Sequence, residues 1–303
     1  MSFYVQFLGT GSALPTARQH PTSQYIFCQN RHFLMDCGEA TQIQLRIRKV
    51  KIQKLDAIFI SHLHGDHYFG LVGLLSSMHL LGRKKAITIY APELLEKIVR
   101  LQLELAGARL AYDVIFQHIA DDFEGVVFED NVIEVSTFKL KHKIPTHGFV
   151  FCEKEKERSL LAEKFKASGL SIRQIPDLKS GKDVVDEKGE THSFKKYTRK
   201  PKPSSSYAFC SDTAYSKNTI KWIKGVDVLY HEATFTKKDK ERSVQTKHST
   251  AAEAAKVAKE AEVGKLYFGH LSARYDNANQ HLVEARSIFP ESYEAVEGEV
   301  VKL

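Results

Sequence analysis

The chain has 303 residues, of which 43% are hydrophobic and 27% are charged. This is ordinary globular usage, and it excludes a fibrous, collagen-like or wholly disordered protein. The formal net charge of +7 favours polyanionic partners but does not choose among them. No apolar run approaches the roughly 18 residues that span a membrane, and the N-terminus enters a predicted strand without a basic leader. We therefore expect a cytoplasmic protein with no membrane association.

The cysteines point to the same compartment. The chain has four, at positions 28, 37, 152 and 210, with no CxxC pair and no regular spacing. They predict reduced thiols in a reducing compartment rather than a disulfide framework or a cysteine-rich metal site.

The first third of the chain alternates predicted strands and helices. Residues 3–8, 24–28 and 32–36 predict strands, and a helical pattern follows in which Ile43 and Ile47 share a face. Residues 55–60 form a run that is apolar apart from Asp56, typical of a strand that is buried on both faces. This run leads directly into SHLHGDHYFGLVGLL, where helical spacing begins at Tyr68. The histidine-rich segment is therefore expected on a strand-to-helix loop.

The rest of the chain repeats this alternation of predicted strands and helices. Residues 87–90 predict a strand, and Pro92 is expected to open a helix whose apolar positions are Leu94, Leu95, Ile98, Leu101 and Leu105. Residues 112–151 return to strands, and YAFCSDT, VDVLYHEAT and KLYFGHLS are predicted strands that end in polar residues. Thr250 and Glu253 fit a capping box at the start of a helix. Two β-rich halves suggest two sheets packed face to face with helices outside.

Residues 153–203 do not fit this pattern. They contain 14 Lys or Arg and 9 Asp or Glu, so about five of the seven net positive charges lie in one sixth of the chain. A helical patch, SLLAEKFKASG, and a turn, DEKGET, suggest a protruding basic arm, and this name is kept below for residues 153–203. A solvated insertion with no role is the alternative.

The strongest chemical signal is the motif HLHGDH at residues 62–67. Three imidazoles (His62, His64 and His67) and the carboxylate of Asp66 fall within six residues at the end of a buried strand. Imidazole and carboxylate ligands suit zinc, manganese or iron, and the lack of cysteine disfavours a closed structural zinc site. Alternating positions such as 62 and 64 can project to one side of an extended loop, while 66 and 67 on the turn can face another ion, which fits two neighbouring metals.

Six residues cannot complete two metal shells, so further ligands are expected at other strand ends. The candidates lie at or just past β-like runs: His142, Asp212, His231 with Glu232, His248 and His270. Each has a structural alternative, since Asp212 could cap the following helix and His248 could merely precede a cap. Of His142 and His147, only one is expected to reach the metals. The remaining histidines follow no such pattern and are treated as structural: His20, His32, His79, His118, His192 and His281.

Motifs along nearly the whole chain resemble a known family. HxHxDH with downstream His, Asp and His is similar to the metallo-β-lactamase superfamily, which implies an α/β fold with an αββα sandwich and a two-metal centre. LGTGSALPT, DCGEATQIQ, SHLHGDHYFGLVGLL, HKIPTHGF, SDT, HEATF, KHSTAAEAA and GHLSARY follow in the order typical of ribonuclease Z (tRNase Z), the endoribonuclease family that removes the 3′ trailer from precursor tRNA. The resemblance implies one domain, residues 1–303, with the basic arm inserted at 153–203.

The resemblance also implies roles residue by residue. His62, His64 and His142 would hold one Zn²⁺, Asp66, His67 and His270 would hold the other, and Asp212 would bridge them. Asp66 would also be the general base. His248 would donate a proton to the leaving 3′-oxygen, held by Glu232. Asp36 would contact and orient the metal-binding side chains without binding a metal itself, and His231 would be structural. The same nitrogen and oxygen ligands also suit Mn²⁺.

The family arm grips the tRNA elbow, and KSGKDVVDEKGET, with Lys179 and Lys182, resembles its Lys/Gly stretch. LSIRQIPDL stands where the family usually has a Gly- and Pro-rich segment. Relatives act as homodimers, so a homodimer that binds precursor tRNA is expected. Expected products are tRNA with a 3′-hydroxyl and a trailer with a 5′-phosphate.

Two other functions remain open at this point. One is a dinuclear metal phosphodiesterase or thioester hydrolase that acts on a small molecule. The other is a catalytically idle RNA-binding protein, against which the complete ligand set and the Glu232/His248 pair argue. Loss of precursor-tRNA cleavage on deletion of the arm, with small-phosphodiester hydrolysis retained, would distinguish the leading function.

Overall fold

A computed structural model describes residues 3–303. The chain divides into two compact units. The larger contains the chain up to Cys152 together with Ser205–Leu303, and the smaller is Glu153–Ser204, which contains the basic arm.

The strands are numbered here in chain order. They are β1 (Phe3–Gly9), β2 (Ser23–Cys28), β3 (Arg31–Met35), β4 (Ala57–Phe59), β5 (Ile87–Ala91), β6 (Val114–His118), β7 (Gly125–Glu129), β8 (Ile133–Lys139), β9 (His147–Glu153), β10 (Ser159–Leu160), β11 (Val184–Val185), β12 (Thr191–His192), β13 (Thr198–Arg199), β14 (Ser206–Cys210), β15 (Val228–Glu232), β16 (Lys265–Gly269), β17 (Ser292–Glu294) and β18 (Val300–Lys302).

The helices are α1 (Thr41–Ile47), α2 (Leu71–Leu80), α3 (Leu94–Leu105), α4 (Ala162–Lys166), α5 (Ile175–Lys179), α6 (Phe194–Tyr197), α7 (Lys217–Trp222), α8 (Lys240–Thr246), α9 (Ala251–Glu260) and α10 (Asn279–Arg286). No helix between residues 3 and 303 is long and apolar enough to cross a membrane.

The larger unit contains two seven-stranded sheets. Their strand orders are β18-β1-β2-β3-β4-β5-β6 and β17-β16-β15-β14-β9-β8-β7. In the first sheet β3, β4, β5 and β6 are parallel neighbours, and in the second β14, β15, β16 and β17 are. Each sheet therefore has a parallel segment of the kind that needs helices on its outer face.

The two sheets pack face to face through an aromatic core. Phe59 of β4 contacts Phe149 of β9, with ring centroids 5.6 Å apart, and Phe7 of β1 contacts Tyr230 of β15 at 5.8 Å. Ile58, between the two inward residues of β4, faces the opposite way into the core beneath the first group of helices. The strand predicted at residues 55–60 is confirmed for 57–59, which are buried on both faces, whereas residues 55, 56 and 60 lie outside it.

Helices cover the outer face of each sheet. Apolar residues of α1, α2 and α3 form one outer core with the first sheet, and those of α7, α9 and α10 form another with the second. Helix α9 begins with the predicted capping box: Thr250 Oγ1 accepts a hydrogen bond from the Glu253 backbone N–H, and the Glu253 carboxylate accepts one from Thr250 N–H. The αββα sandwich expected from the sequence is confirmed.

The helical patterns around Ile43 and after Pro92 correspond to α1 and α3, but the spacing does not show which residues are buried. Ile43 and Ile47 share a face of α1, but both are exposed, and the helix instead buries Leu45 and its neighbours. Helix α3 begins two residues after Pro92 and leaves three of the five predicted apolar positions exposed: Leu94, Leu101 and Leu105. Helical spacing identifies an apolar stripe, but the packing of the helix on its sheet decides which stripe is buried.

The smaller unit has its own small core. Phe165, Leu170, Leu178, Val184 and Tyr197 are buried together. Around them lie α4, α5 and α6 and two short antiparallel pairs, β10 with β13 and β11 with β12. The predicted helical patch corresponds to α4, and the predicted turn DEKGET joins β11 and β12.

Candidate metal centre

The chemistry-bearing side chains of the larger unit follow strand ends. Asp36 follows β3, the HLHGDH motif follows β4, and Asp212 follows β14, while Glu232 ends β15 and His270 follows β16. The carboxyl ends of parallel strands meet at the same edge of a sheet, which is where open α/β folds place ligands. Two facing sheets bring two such edges together.

One group of ligand atoms comes from His62, His64, His142 and Asp212. His64 Nδ1 lies 3.0 Å from His62 Nε2 and 3.3 Å from His142 Nε2. Asp212 Oδ2 lies 3.5 Å from His142 Nε2 and 3.6 Å from His62 Nε2. Three ring nitrogens and one carboxylate oxygen thus converge on a single point.

A second group adjoins the first and comes from Asp66, His67 and His270. Asp66 Oδ2 lies 3.4 Å from His67 Nε2 and 3.3 Å from His270 Nε2. Asp212 Oδ1 lies 3.1 Å from both of these nitrogens. Asp212 therefore offers one carboxylate oxygen to each group, the position that a bridging ligand occupies.

Partners behind the histidines fix which ring nitrogen faces the centre. Asp36, fully buried, lies with Oδ2 2.6 Å from His67 Nδ1 and accepts hydrogen bonds from the backbone N–H and hydroxyl of Ser61. Ser61 Oγ also lies 3.0 Å from His62 Nδ1. Such outer partners orient metal-binding imidazoles, so Nε2 of both histidines is left facing the centre.

Two more of the five histidines, His142 and His270, are oriented in the same way. His142 Nδ1 lies 3.2 Å from the Lys247 carbonyl oxygen, and His270 Nδ1 lies 2.9 Å from Thr234 Oγ1. The Thr234 hydroxyl in turn donates to the carboxylate of Glu232. Both Nε2 atoms point inward.

The donor set fits divalent cations. His67 Nε2 is buried and has no hydrogen-bond partner among residues 3–303, although it faces the carboxylates of Asp66 and Asp212. An inward-facing nitrogen beside two carboxylates is what a bound cation would satisfy. Burial lowers the pKa of His67, but Asp66, Asp212 and Asp36 outweigh it and raise that pKa well above its ordinary value. A bound cation would displace that proton.

Glu232 and His248 form a buried pair beside the ligand groups. Glu232 Oε1 lies 2.8 Å from His248 Nδ1 and accepts from Thr213 N–H, while Oε2 accepts from Ser249 N–H and the Thr234 hydroxyl. Burial raises the pKa of Glu232, but His248 outweighs it and leaves that pKa below its ordinary value. Burial lowers the pKa of His248, whereas Glu232 raises it to about 9. The pair is therefore an imidazolium held by a carboxylate.

Three site residues adopt left-handed backbone conformations. Their φ values are 56° at Asp36, 60° at Asp212 and 58° at His270, each just past a strand end. Residues other than glycine are uncommon in this region, and such positions cluster at functional sites. Here the turn points each side chain across the strand end towards the centre.

Other histidines lie elsewhere. His231 is buried with Nδ1 facing the carbonyl oxygen of the next residue, and His147 is buried with no ring partner among the described residues. His192 forms a separate group with Asp186 and Glu190 in the smaller unit. No metal-ligand group within residues 3–303 includes the remaining ones: His20, His32, His79, His118 and His281.

The two arm lysines differ in their surroundings. Lys179 Nζ lies 2.6 Å from Glu157 Oε2, so its charge is partly compensated within the smaller unit. Lys182 is exposed, and its backbone N–H donates to the Asp177 carbonyl.

Sequence analysis missed several supports of the site. It did not identify Ser61 or Thr234 as partners of histidines, nor the carbonyl of Lys247. Ser61 immediately precedes His62, and Thr234 is the last residue of HEAT. For Ser61 and Thr234, the available signal was a residue with a hydroxyl group inside the ligand motif. A backbone carbonyl leaves no trace in the sequence.

Comparison with known proteins gives a consistent result. Residues 3–159 match the family model of the anti-Pycsar protein Apyc1. Ribonuclease Z of Bacteroides fragilis is 40% identical over 301 residues, 99% of each chain. Ribonuclease Z of Parabacteroides distasonis is 41% identical over 98% of this chain and 97% of its own.

Solved structures agree. The short form of human tRNase Z superposes with a TM-score of 0.71 and 25% identity, covering 99% of this chain and 98% of that one. A metallo-β-lactamase fold protein of Bacillus subtilis, at a TM-score of 0.69 and 18% identity over 99% of this chain and 99% of its own, shares the fold. With its αββα sandwich and its paired His/Asp groups at the strand ends, the chain belongs to the ribonuclease Z family of the metallo-β-lactamase fold.

Proposed function

We propose that this protein is an endoribonuclease that removes the 3′ trailer from precursor tRNA by metal-assisted phosphodiester hydrolysis. One observation carries the proposal: a chain 40% identical to ribonuclease Z over its whole length brings five imidazoles and two carboxylates together beside the Glu232/His248 pair. The products would be tRNA with a 3′-hydroxyl and a trailer with a 5′-phosphate.

The residues proposed to hold two Zn²⁺ ions are the seven of the two groups. His62, His64 and His142 serve one ion, Asp66, His67 and His270 serve the other, and Asp212 serves both. Mn²⁺ suits the same donors. When bound, such a pair of ions lowers the pKa of a water molecule and neutralises charge on the phosphate.

Asp66 and His248 are the proposed acid–base groups. Asp66 is almost fully buried, yet it lines the cavity above the ligands, so its carboxylate can accept the proton of the attacking water. His248 lines the same cavity, and its Nε2 lies 3.9 Å from Asp212 Oδ2. The carboxylate of Glu232 keeps His248 protonated, and His248 Nε2–H then donates to the leaving 3′-oxygen.

The smaller unit is the proposed tRNA-binding arm. It contains most of the excess positive charge of the chain, including Lys182 and Lys179. Cationic side chains there suit contacts with tRNA phosphates, which read shape rather than base sequence and weaken with salt.

A homodimer and a cytoplasmic location complete the proposal. The exposed leucines of α3, Leu94, Leu101 and Leu105, offer an apolar stripe of the kind that subunits cover.

The buried thiols of Cys37 and Cys210 suit a reducing compartment, where the protein would encounter precursor tRNA.

The decisive experiment is cleavage of a 3′-extended precursor tRNA by zinc-loaded protein, with the cut site and end groups mapped. We expect cleavage after the discriminator nucleotide, leaving a 3′-hydroxyl, and its loss in Asp66→Ala. No cleavage by a protein that binds two metal ions and hydrolyses bis(p-nitrophenyl) phosphate would contradict the proposal in favour of a small-molecule phosphodiesterase.

A further inference from the structure

An exposed aromatic ring lies at the mouth of the metal centre. A cavity of about 670 Å³ opens above the ligand groups, and its lining includes Asp66, His248 and the side chain of Phe69. Its volume falls in the range of small-molecule and nucleotide sites. Phe69 is 60% exposed, and Leu14, on the same lining, is 66% exposed. Neither side chain contributes its full surface to the core.

The ring of Phe69 is held in place by the metal-binding loop. A Cβ atom added to Gly65 would lie 2.2 Å from two atoms of the Phe69 ring, so the ring packs directly over the glycine backbone. The Phe69 backbone N–H donates to the Gly65 carbonyl at 2.8 Å, and Tyr68 contacts the ring edge-on, with centroids 5.1 Å apart. A ring fixed on one side and exposed on the other loses little conformational entropy when a planar group covers it.

The lining of the cavity also includes two arginines, Arg242 and Arg274. The guanidinium of Arg274 lies 5.2 Å from the centre of the Phe235 ring and donates to Asp239. The guanidinium of Arg242 makes no hydrogen bond or ion pair with any residue from 3 to 303, and it lines the same cavity. Proteins bind single-stranded nucleic acid by combining exposed aromatic faces with cationic side chains. This cavity has both.

The proposed catalytic groups indicate which nucleotide meets the ring. His248, the proposed donor to the leaving 3′-oxygen, contacts His142, His270 and Phe235, with ring centroids 5.0, 5.4 and 6.2 Å away. The terminal nucleotide of the tRNA carries that oxygen and therefore lies towards His248. Phe69 packs instead on Gly65, the residue before the proposed base Asp66. The base would act on the attacking water, which in an in-line displacement lies opposite the leaving 3′-oxygen, so we assign the trailer to the side of Phe69.

We propose that Phe69 is the stacking platform for the base of the first trailer nucleotide. This inference rests on the proposed function, and it assigns a substrate-binding residue outside the metal ligands and the acid–base groups. Stacking on an aromatic ring tolerates every base, because each has a π-face. Phe69 therefore positions the trailer without reading its sequence.

The test uses 2-aminopurine, whose fluorescence falls when it stacks. It is placed either at the first trailer nucleotide or at the discriminator nucleotide of a precursor tRNA, and binding is measured with zinc-loaded protein in a His248→Ala background, which keeps the metal centre and slows cleavage. In this background, protein with Phe69 or with Phe69→Tyr should quench the trailer probe, and protein with Phe69→Leu should not. Phe123→Leu is the matched control, since Phe123 is 39% exposed and does not line the cavity. Quenching at the discriminator alone, or quenching that survives Phe69→Leu, would overturn the inference.

A second measurement compares affinities. Wild type should bind a precursor with a one-nucleotide trailer roughly tenfold more tightly than mature tRNA, in line with one stacked base. Phe69→Leu, or an abasic trailer nucleotide, should abolish this advantage, and combining the two changes should add nothing. An advantage retained by Phe69→Leu would count against the inference. Wild-type protein that does not cleave precursor tRNA would instead contradict the proposed function itself.

Discussion

Glu232 Oε1 lies 2.8 Å from His248 Nδ1, and the carboxylate is otherwise occupied by backbone N–H groups and the Thr234 hydroxyl. Since every hydrogen bond to Glu232 favours its charged form, the carboxylate stays ionised inside the protein. That charge turns His248 from an ordinary histidine into an acid that remains protonated at neutral pH.

His248→Ala should lower kcat on precursor tRNA by about 10²- to 10⁴-fold, the usual contribution of a general acid. Metal content and tRNA affinity should stay nearly unchanged, because His248 belongs to neither proposed metal shell. Single-turnover kinetics with metal analysis checks this. A variant that lost one equivalent of metal would make His248 a ligand instead.

Glu232→Gln should move the alkaline limb of the kcat profile to lower pH. His248 must be protonated to donate, and Glu232 raises its pKa to about 9. Without the carboxylate the pKa falls, so the protonated form is lost at a lower pH. The pH dependence of single-turnover cleavage measures this, and an unmoved alkaline limb would exclude His248 as the group that titrates.

Asp36→Asn should weaken metal binding by about 10- to 100-fold, the usual cost of removing an outer partner of a metal-binding histidine. The cause is the loss of the carboxylate that faces His67 Nδ1 at 2.6 Å. Asp130→Asn is a matched control, because Asp130 also pairs with a cation, Arg31, but lies outside the ligand groups. Competition with a chromophoric chelator gives both affinities, and equal affinities would contradict the assignment.

Deletion of the smaller unit should separate tRNA cleavage from the chemistry. The larger unit has its own cores, so a short linker replacing residues 153–204 is expected to leave it folded. Cleavage of precursor tRNA should fall strongly, while hydrolysis of bis(p-nitrophenyl) phosphate should persist. If the deletion impaired both reactions equally, the unit would be structural rather than a tRNA-binding arm.

His281 should make the protein sensitive to acid independently of the metal centre. It is fully buried, neither ring nitrogen has a partner among residues 3–303, and burial lowers its pKa to about 4. Between pH 6.5 and 4 the unfolded chain takes up a proton that the folded chain excludes, so stability is lost as pH falls through this window. The loss is about 3 kcal/mol.

His281→Phe should remove this part of the pH dependence, since phenylalanine does not titrate and suits the contacts with Phe268 and Tyr275. Urea unfolding at pH 7 and pH 4.5, with His118→Phe as an exposed control, measures the difference. An equal loss of stability in wild type and His281→Phe would show that His281 is not responsible.

Much of the fold could be predicted from the sequence because the local hydrophobic patterns agree with the packing in the structure. Residues 57–60 are all apolar, and β4 is buried on both faces. The exceptions are surface helices: α1 and α3 have apolar residues on more than one side, and spacing alone could not decide that Ile43 and Leu101 would be exposed. That choice depends on where each helix sits on its sheet.

The chemistry of the site could be predicted from residue types at fixed spacing. HLHGDH places three imidazoles and a carboxylate within six residues, and the remaining histidines and acids follow predicted strands. The chemistry of the centre and the family could therefore be predicted from the sequence, because donor atoms and strand ends are local properties of the chain.

The distances and orientations between those groups depend on the tertiary structure. Residues 146 positions apart, Asp66 and Asp212, meet the same nitrogen of His67 only because two sheets face each other. The left-handed turns at Asp36, Asp212 and His270, the carbonyl of Lys247 behind His142 and the Phe69 ring over Gly65 are likewise products of packing. Distances and orientations between remote segments depend on the whole fold, so no local pattern encodes them.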